Sequence, residues 1–174
     1  AAEWVFDHAD DLGADPRHIA VGGDSAGGYM ALAASLRLPG RFACQLLLYP
    51  LLHVDDDVWA ETLFKDARVV GRLAVQYIRA QLATAAKGVP SLQGCANGGT
   101  PPTFIVTGGA LDPVRPDSVT YAAALKAAGV PCVFRDYAAQ PHSFLNLTHL
   151  SEPACTALAD TAALVGAALT RPAQ

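Results

Sequence analysis

Gly22-Gly23-Asp24-Ser25-Ala26-Gly27-Gly28 follows directly on the short apolar run Ile19-Ala20-Val21 and leads into a helical pattern from about Ala26 to Leu38. The stretch contains G-x-S-x-G, and that spacing has a steric reason. A serine at the apex of a very sharp strand-to-helix turn holds its hydroxyl clear of the backbone, and only small residues two positions to either side avoid collision. The N-terminus of the helix that follows also favours negative charge developing nearby. Alone the pattern is weak, because average residue usage produces it by chance in roughly one chain in twenty of this length. Its place between a strand and a helix gives it weight. Asp24 reads as a residue that steadies the turn, with its side chain directed away from Ser25.

Outward from this turn, apolar strands alternate with helices. Cys44 to Tyr49 reads as a second buried strand, stopped by Pro50. Thr100-Pro101-Pro102 introduces a third strand, Thr103 to Thr107, and a helix from about Asp117 to Ala128 ends at Gly129. Cys132 to Tyr137 is the fourth strand. A last helix opens on Ser151 as N-cap, with Leu158, Ala162, Val165 and Leu169 on one face. Before the turn, Trp4/Val5, His8/Ala9 and Leu12 recur at helical spacing up to Gly13, and Asp15-Pro16 makes a turn. Strands that are apolar throughout, alternating with helices, predict an α/β fold of about four parallel strands with helices on both faces. The stretch from His53 to about Pro90 breaks this rhythm, and Val69, Leu73, Gln76/Tyr77 and Ala80 suggest an inserted helix.

Composition narrows the function classes. With 174 residues, 52% of them apolar and 16% charged, the chain is expected to be one globular domain, 1–174. A net charge of −4 argues against nucleic acid or an anionic membrane surface as partner. The most apolar run, Leu46 to Leu52, is broken by Pro50 and far shorter than the roughly 20 residues a bilayer requires. Cys44, Cys95, Cys132 and Cys155 form no C-x-x-C pair, so zinc and thioredoxin-like sites are not supported. Cys44 and Cys132 fall in strand-like runs, where a reduced thiol acts as a small hydrophobe. Asp55-Asp56-Asp57 beside His53 reads as a solvated acidic run, and no metal is expected. His8 and His18 read as a helix-surface and a strand-lead-in residue. No targeting signal is visible and Ala1 to Phe6 read as mid-helix, so the expectation is a cytoplasmic protein whose native N-terminus lies further upstream.

A serine nucleophile needs a base, and the base needs an orienting carboxylate. Gly108-Gly109-Ala110-Leu111-Asp112-Pro113 follows the third strand, and Gln140-Pro141-His142-Ser143-Phe144 follows the fourth. Ser25, Asp112 and His142 thus stand just beyond three different strands, at the edge of a parallel sheet where sites form. Two rivals are weaker: Asp117 reads as charging a helix N-terminus, and His149 as lying near the start of the last helix.

Gly23-Asp24-Ser25-Ala26-Gly27-Gly28, Asp112-Pro113-Val114 and His142-Ser143-Phe144 closely resemble the hormone-sensitive-lipase-like family of bacterial esterases, in its GDSAG-motif branch. The step of 30 positions from 112 to 142 and Leu12-Gly13-Ala14-Asp15-Pro16-Arg17-His18-Ile19 are similar too. The resemblance covers essentially the whole chain. It implies the C-terminal part of an α/β-hydrolase fold, with Ser25 as nucleophile, His142 as general base and acid, Asp112 as orienting acid and the Ala26 N–H as one oxyanion donor. It also implies short to medium acyl ester substrates, no cofactor, and residues 53–90 as a lid or pocket insertion. Trp59, Phe64 and Tyr77 there read equally as pocket lining or packing. Two local departures stand out: Ser143 where the family usually has glycine, and Pro116 inserted before Asp117. The larger departure is that the family's glycine-rich oxyanion loop, cap helices and first four strands have no counterpart.

The reading is therefore a serine carboxylesterase that is inactive, or nearly so, as an isolated fragment. Its first strand is expected at an exposed sheet edge that invites self-association. A non-catalytic binding protein on the same fold and a serine peptidase or amidase are the alternatives. An intact Ser–His–Asp set speaks against the first.

Overall fold

The apolar runs become strands because a backbone taken out of water must pair, and side chains apolar on both faces suit a sheet covered on both sides. The computed structural model describes residues 1–53, 73, 77, 80 and 91–170. Its strands are β1 (Ala20–Asp24), β2 (Cys44–Leu48), β3 (Thr103–Gly108) and β4 (Cys132–Tyr137). They form one sheet in the order β1-β2-β3-β4, parallel throughout. The helices are α1 (Ala2–Asp7), α2 (Ala26–Arg37), α3 (Arg115–Ala127) and α4 (Glu152–Leu169), with short 3-10 turns at Pro16–His18 and Phe144–Leu147.

Alternation along the strands divides the core in two. Leu47 and Ile105 point to one face, where Leu32 of α2 and Tyr121 and Leu125 of α3 complete a buried cluster. Val106 points to the other, packed with Tyr49, Val114, Phe144 and the α4 residues Ala154 and Ala157. A fully buried amide fixes the register between layers: Gln45 Nε2 donates to Thr103 Oγ1 (2.8 Å) and to the Tyr121 hydroxyl (3.0 Å).

Several expectations shift. Gly22 to Asp24, read as the turn, continue β1, because they pair in register with Leu46 to Leu48. The first helix stops at Asp7, well before Gly13, and buries Phe6 while Trp4 and Leu12 stay more than half exposed. Phe6 packs on Phe42 and lies under the Arg41 guanidinium, so aromatic packing, not the Trp4/Leu12 stripe, sets its inner face. In α4 the Ser151 cap is as expected, its hydroxyl accepting from the Ala154 N–H, but the buried face is Ala154, Ala157 and Thr161. Leu158 and Ala162 face outward, since only small side chains allow the helix to sit this close to the sheet.

Of the 53–90 insertion, Leu73, Tyr77 and Ala80 are helical and exposed. Asp55 to Asp57, Trp59 and Phe64 lie outside the described residues. All four cysteines are unpaired. No described helix is long and apolar enough to cross a membrane, and the described residues hold no cluster of metal-ligating side chains.

Burial raises the Tyr49 and Tyr121 hydroxyls to about 12, with the Asp24 and Asp112 charges adding to the effect at Tyr49. It raises the Cys44 and Cys132 thiols as well. An unfolded tyrosine ionises near pH 10, roughly, so this contribution to stability is complete below that pH and is lost as pH rises through the folded value. The urea midpoint should fall from about pH 10 to about pH 12, and less steeply in Tyr121→Phe. Parallel curves for the two proteins would contradict the burial assigned to that hydroxyl.

Candidate active site

Ser25 stands between β1 and α2 with φ 52° and ψ −116°, a conformation that costs a non-glycine residue roughly 1–3 kcal/mol. Its backbone is held on both sides. The Ser25 N–H donates to the Leu48 carbonyl (2.9 Å), and its own carbonyl accepts from the Gly28 and Leu51 N–H groups (3.0 Å each). A Cβ at Gly23 would lie 2.3 Å from the carbonyl carbon and oxygen of Gly27, so the strand and helix can approach only through glycine. The N–H of Ala26 opens α2, in the first turn where no intrahelical acceptor exists. Asp24 ends β1 exposed to solvent.

Asp112 lies in the loop between β3 and α3, with its carboxylate fully buried. Oδ2 accepts from the Gly108 N–H (3.2 Å) and, at 3.5 Å, from the Thr107 hydroxyl, while Oδ1 accepts from the Val114 N–H (3.1 Å). These donors hold the charge in place of water. Gly109 lets this loop touch the next: a Cβ there would lie 1.8 Å from the Ala138 carbonyl oxygen. Its N–H donates to the Gln140 carbonyl (3.0 Å), joining the Asp112 loop to the His142 loop.

His142 bridges the other two. Its Nδ1 is 3.0 Å from Asp112 Oδ1 and its Nε2 is 2.9 Å from Ser25 Oγ. A carboxylate can only accept, so Nδ1 carries the proton and Nε2 is left to accept from the serine hydroxyl. The Tyr49 ring meets the imidazole edge-on at 5.1 Å, and Phe144 lies behind Tyr49 at 6.0 Å. His149 is exposed in the turn before α4.

The three residues singled out from the sequence thus come together, and neither rival joins them. Asp117 occupies the first turn of α3 as expected, yet it is buried, with Oδ2 accepting from the Leu52 (2.7 Å) and His53 (3.0 Å) N–H groups. That role was not read from the sequence, nor was Tyr49, whose φ is 34°. A tyrosine followed by proline at the end of an apolar strand was the only signal for the latter.

The parallel sheet, its helices and the serine turn after β1 define one class. The chain belongs to the alpha/beta hydrolase fold family, whose profile matches residues 1–146. It is similar to carboxylesterase NlhH of Mycobacterium tuberculosis, 35% identical in an alignment 161 positions long that covers 84% of this chain and 49% of that protein. Among solved structures, the thermostable carboxylesterase EstE1 from a metagenomic library is 31% identical with a TM-score of 0.77, over 97% of this chain and 61% of that one. An esterase of the bacterial hormone-sensitive lipase family shares the fold (TM-score 0.78, 24% identity, 97% of this chain and 58% of that one). The resemblance drawn from the GDSAG, Asp-Pro and His-Ser-Phe residues is therefore borne out. The chain spans about half the length of the curated relatives it matches.

Ser143, where the family usually has glycine, adopts φ 62° and ψ 22°. This left-handed conformation disfavours any residue with a Cβ. Ser143→Gly should raise unfolding stability by roughly 0.5–1 kcal/mol in a urea titration. A loss of stability would show that the serine side chain is itself needed at this turn.

Proposed function

We propose that the protein is a serine carboxylesterase acting on short to medium acyl esters. The observation that carries this reading is the unbroken hydrogen-bonded line from Asp112 through His142 to Ser25, at 3.0 and 2.9 Å. Ser25 Oγ attacks the ester carbonyl as its proton passes to His142 Nε2. Asp112 holds the tautomer and stabilises the imidazolium that forms. The Ala26 N–H, at the positive end of α2, donates to the developing oxyanion. His142 then returns the proton to the departing alcohol, leaving an acyl group on Ser25. Water attacks that acyl group by the same route in reverse, releasing the acid and restoring the hydroxyl. No step calls for a cofactor. Residues 53–90, which come after β2 in the chain, are assigned to the lid and substrate pocket on the family resemblance. Four unpaired thiols fit a reducing compartment, in keeping with a cytoplasmic enzyme.

A second part of the reading concerns β1. Among the described residues it pairs with β2 alone, and its glycines offer a neighbouring strand little obstruction. β4, at the other edge, carries Arg135 and Asp136, charges of the kind that blunt pairing. Self-association through β1 would appear in light scattering as a mass above the monomer that grows with concentration. A constant monomer mass over a wide concentration range would rule it out.

In a complete enzyme carrying this segment, Ser25→Ala should abolish hydrolysis of p-nitrophenyl butyrate, and Asp112→Asn should lower kcat about 10⁴-fold through the wrong imidazole tautomer. Asp117→Asn should be nearly silent beside them, since an amide oxygen can still accept from Leu52 and His53. Equal losses in Asp112→Asn and Asp117→Asn would mean that the orienting acid is misassigned.

A further inference from the structure

The segment that leads from β2 into the insertion touches both Ser25 and His142. The Leu51 N–H donates to the Ser25 carbonyl, the Tyr49 N–H donates to the Val106 carbonyl of β3, and the Tyr49 ring lies against His142. Pro50 closes on α2: a Cβ at Gly28 would come within 2.6 Å of the Pro50 Cβ. Its far end is held by the Leu92 N–H, which donates to the Leu52 carbonyl (2.9 Å), and by one side chain. Asp117, only 3% exposed, takes the Leu52 and His53 N–H groups on a single oxygen and keeps its other oxygen 3.6 Å from His53 Nδ1. Burial pushes the Asp117 carboxyl up, while the two amides and the His53 ring pull it down. Asp117 also stands five residues beyond Asp112, on the helix that the Asp112 loop feeds.

We infer that Asp117 is a positioning residue. By clamping Leu52 and His53 to the start of α3, it fixes the segment that supports the Ser25 backbone and the His142 ring, and so sets the distance between serine hydroxyl and imidazole. This inference rests on the reading of Ser25 and His142 as the reacting pair. A helix-surface charge would do none of this, because it would leave the Leu52 and His53 amides to other acceptors. Displacements of about 1 Å between reacting groups can slow a reaction about 100-fold, so a clamp outside the reacting atoms can matter.

Two measurements on a complete enzyme carrying this segment separate this from a role in folding alone: the rate at which a fluorophosphonate labels Ser25, and the ¹⁵N shift of His142 Nε2, which reports its hydrogen bond to Ser25. Asp117→Ala should slow labelling at least about tenfold and move the ¹⁵N shift at a temperature where the protein is fully folded. Asp117→Asn, which keeps an acceptor oxygen, should stay within about threefold of the parent, by the same geometric reasoning. Phe6→Ala, which removes buried packing against Phe42 on another element, should leave both readouts unchanged. If Asp117→Ala does not fold, Asp117→Glu replaces it: the charge is kept, the acceptor moves by one methylene, and labelling should be slower than in the Asn variant. Parent-like values in Asp117→Ala, or equal changes in Phe6→Ala, overturn the inference. A parent protein that the phosphonate does not label counts against the esterase reading, and the ¹⁵N shift alone then decides the part played by Asp117.

Discussion

The near-contact of Gly23 with Gly27, where a single added carbon would lie 2.3 Å from backbone, is the constraint on which the rest of the site depends. It allows β1 to turn into α2 within one residue, and that residue is Ser25, held at φ 52°. Such a turn stores strain, so it persists only where its surroundings over-determine it. Here they do. The backbone groups of Ser25 are bonded to Leu48, Gly28 and Leu51, and Pro50 packs against Gly28. The strand pairing of β1 with β2 and the burial of Leu32 and Leu47 supply the stability that offsets the strained turn. The helix then begins at the next residue, Ala26, so its first turn follows the serine directly.

A parallel sheet does the remaining assembly. All four strands end on the same edge, so loops after β1, β3 and β4 meet without any long excursion. The Asp112 loop and the His142 loop are joined by the Gly109–Gln140 hydrogen bond before either side chain is considered. Asp112 is then locked by Gly108, Val114 and Thr107, which fixes the imidazole tautomer and leaves Nε2 aimed at Ser25. The Asp112 carboxylate is thus held by groups other than the imidazole, and the His142 ring meets a partner already fixed in place.

What the sequence disclosed follows from how each signal arises. β2 and β3 were legible to within a residue because strands largely buried on both faces are continuous apolar runs, and β4, partly exposed, showed through its apolar start Cys132-Val133-Phe134. The meeting of Ser25, Asp112 and His142 was legible because each stands just beyond the end of a different strand of one parallel sheet. α1 and α4 were misread in their faces, since periodicity marks an apolar stripe without saying which neighbour covers it. Trp4 and Leu158 are exposed, while Ala154 and Thr161 are buried for their small size. Asp117 was placed on the right turn of α3, but its hold on the Leu52 and His53 amides was not read. A carboxylate at a helix start ordinarily meets solvent, and nothing local shows that Leu52, 65 positions earlier, donates to it. Ser143 in a left-handed conformation was visible only as a departure from glycine.

The account as a whole stands on Ser25 carrying the acyl group. Rapid-quench mass spectrometry of a complete enzyme carrying this segment, mixed with p-nitrophenyl butyrate, measures this directly, since it weighs the intermediate and locates it. The account predicts a mass gain of one butyryl group on the peptide containing Ser25, formed before steady state and absent in Ser25→Ala. A butyryl group on the exposed thiol of Cys155 that persists in Ser25→Ala, or product release with no acylated serine, would contradict it.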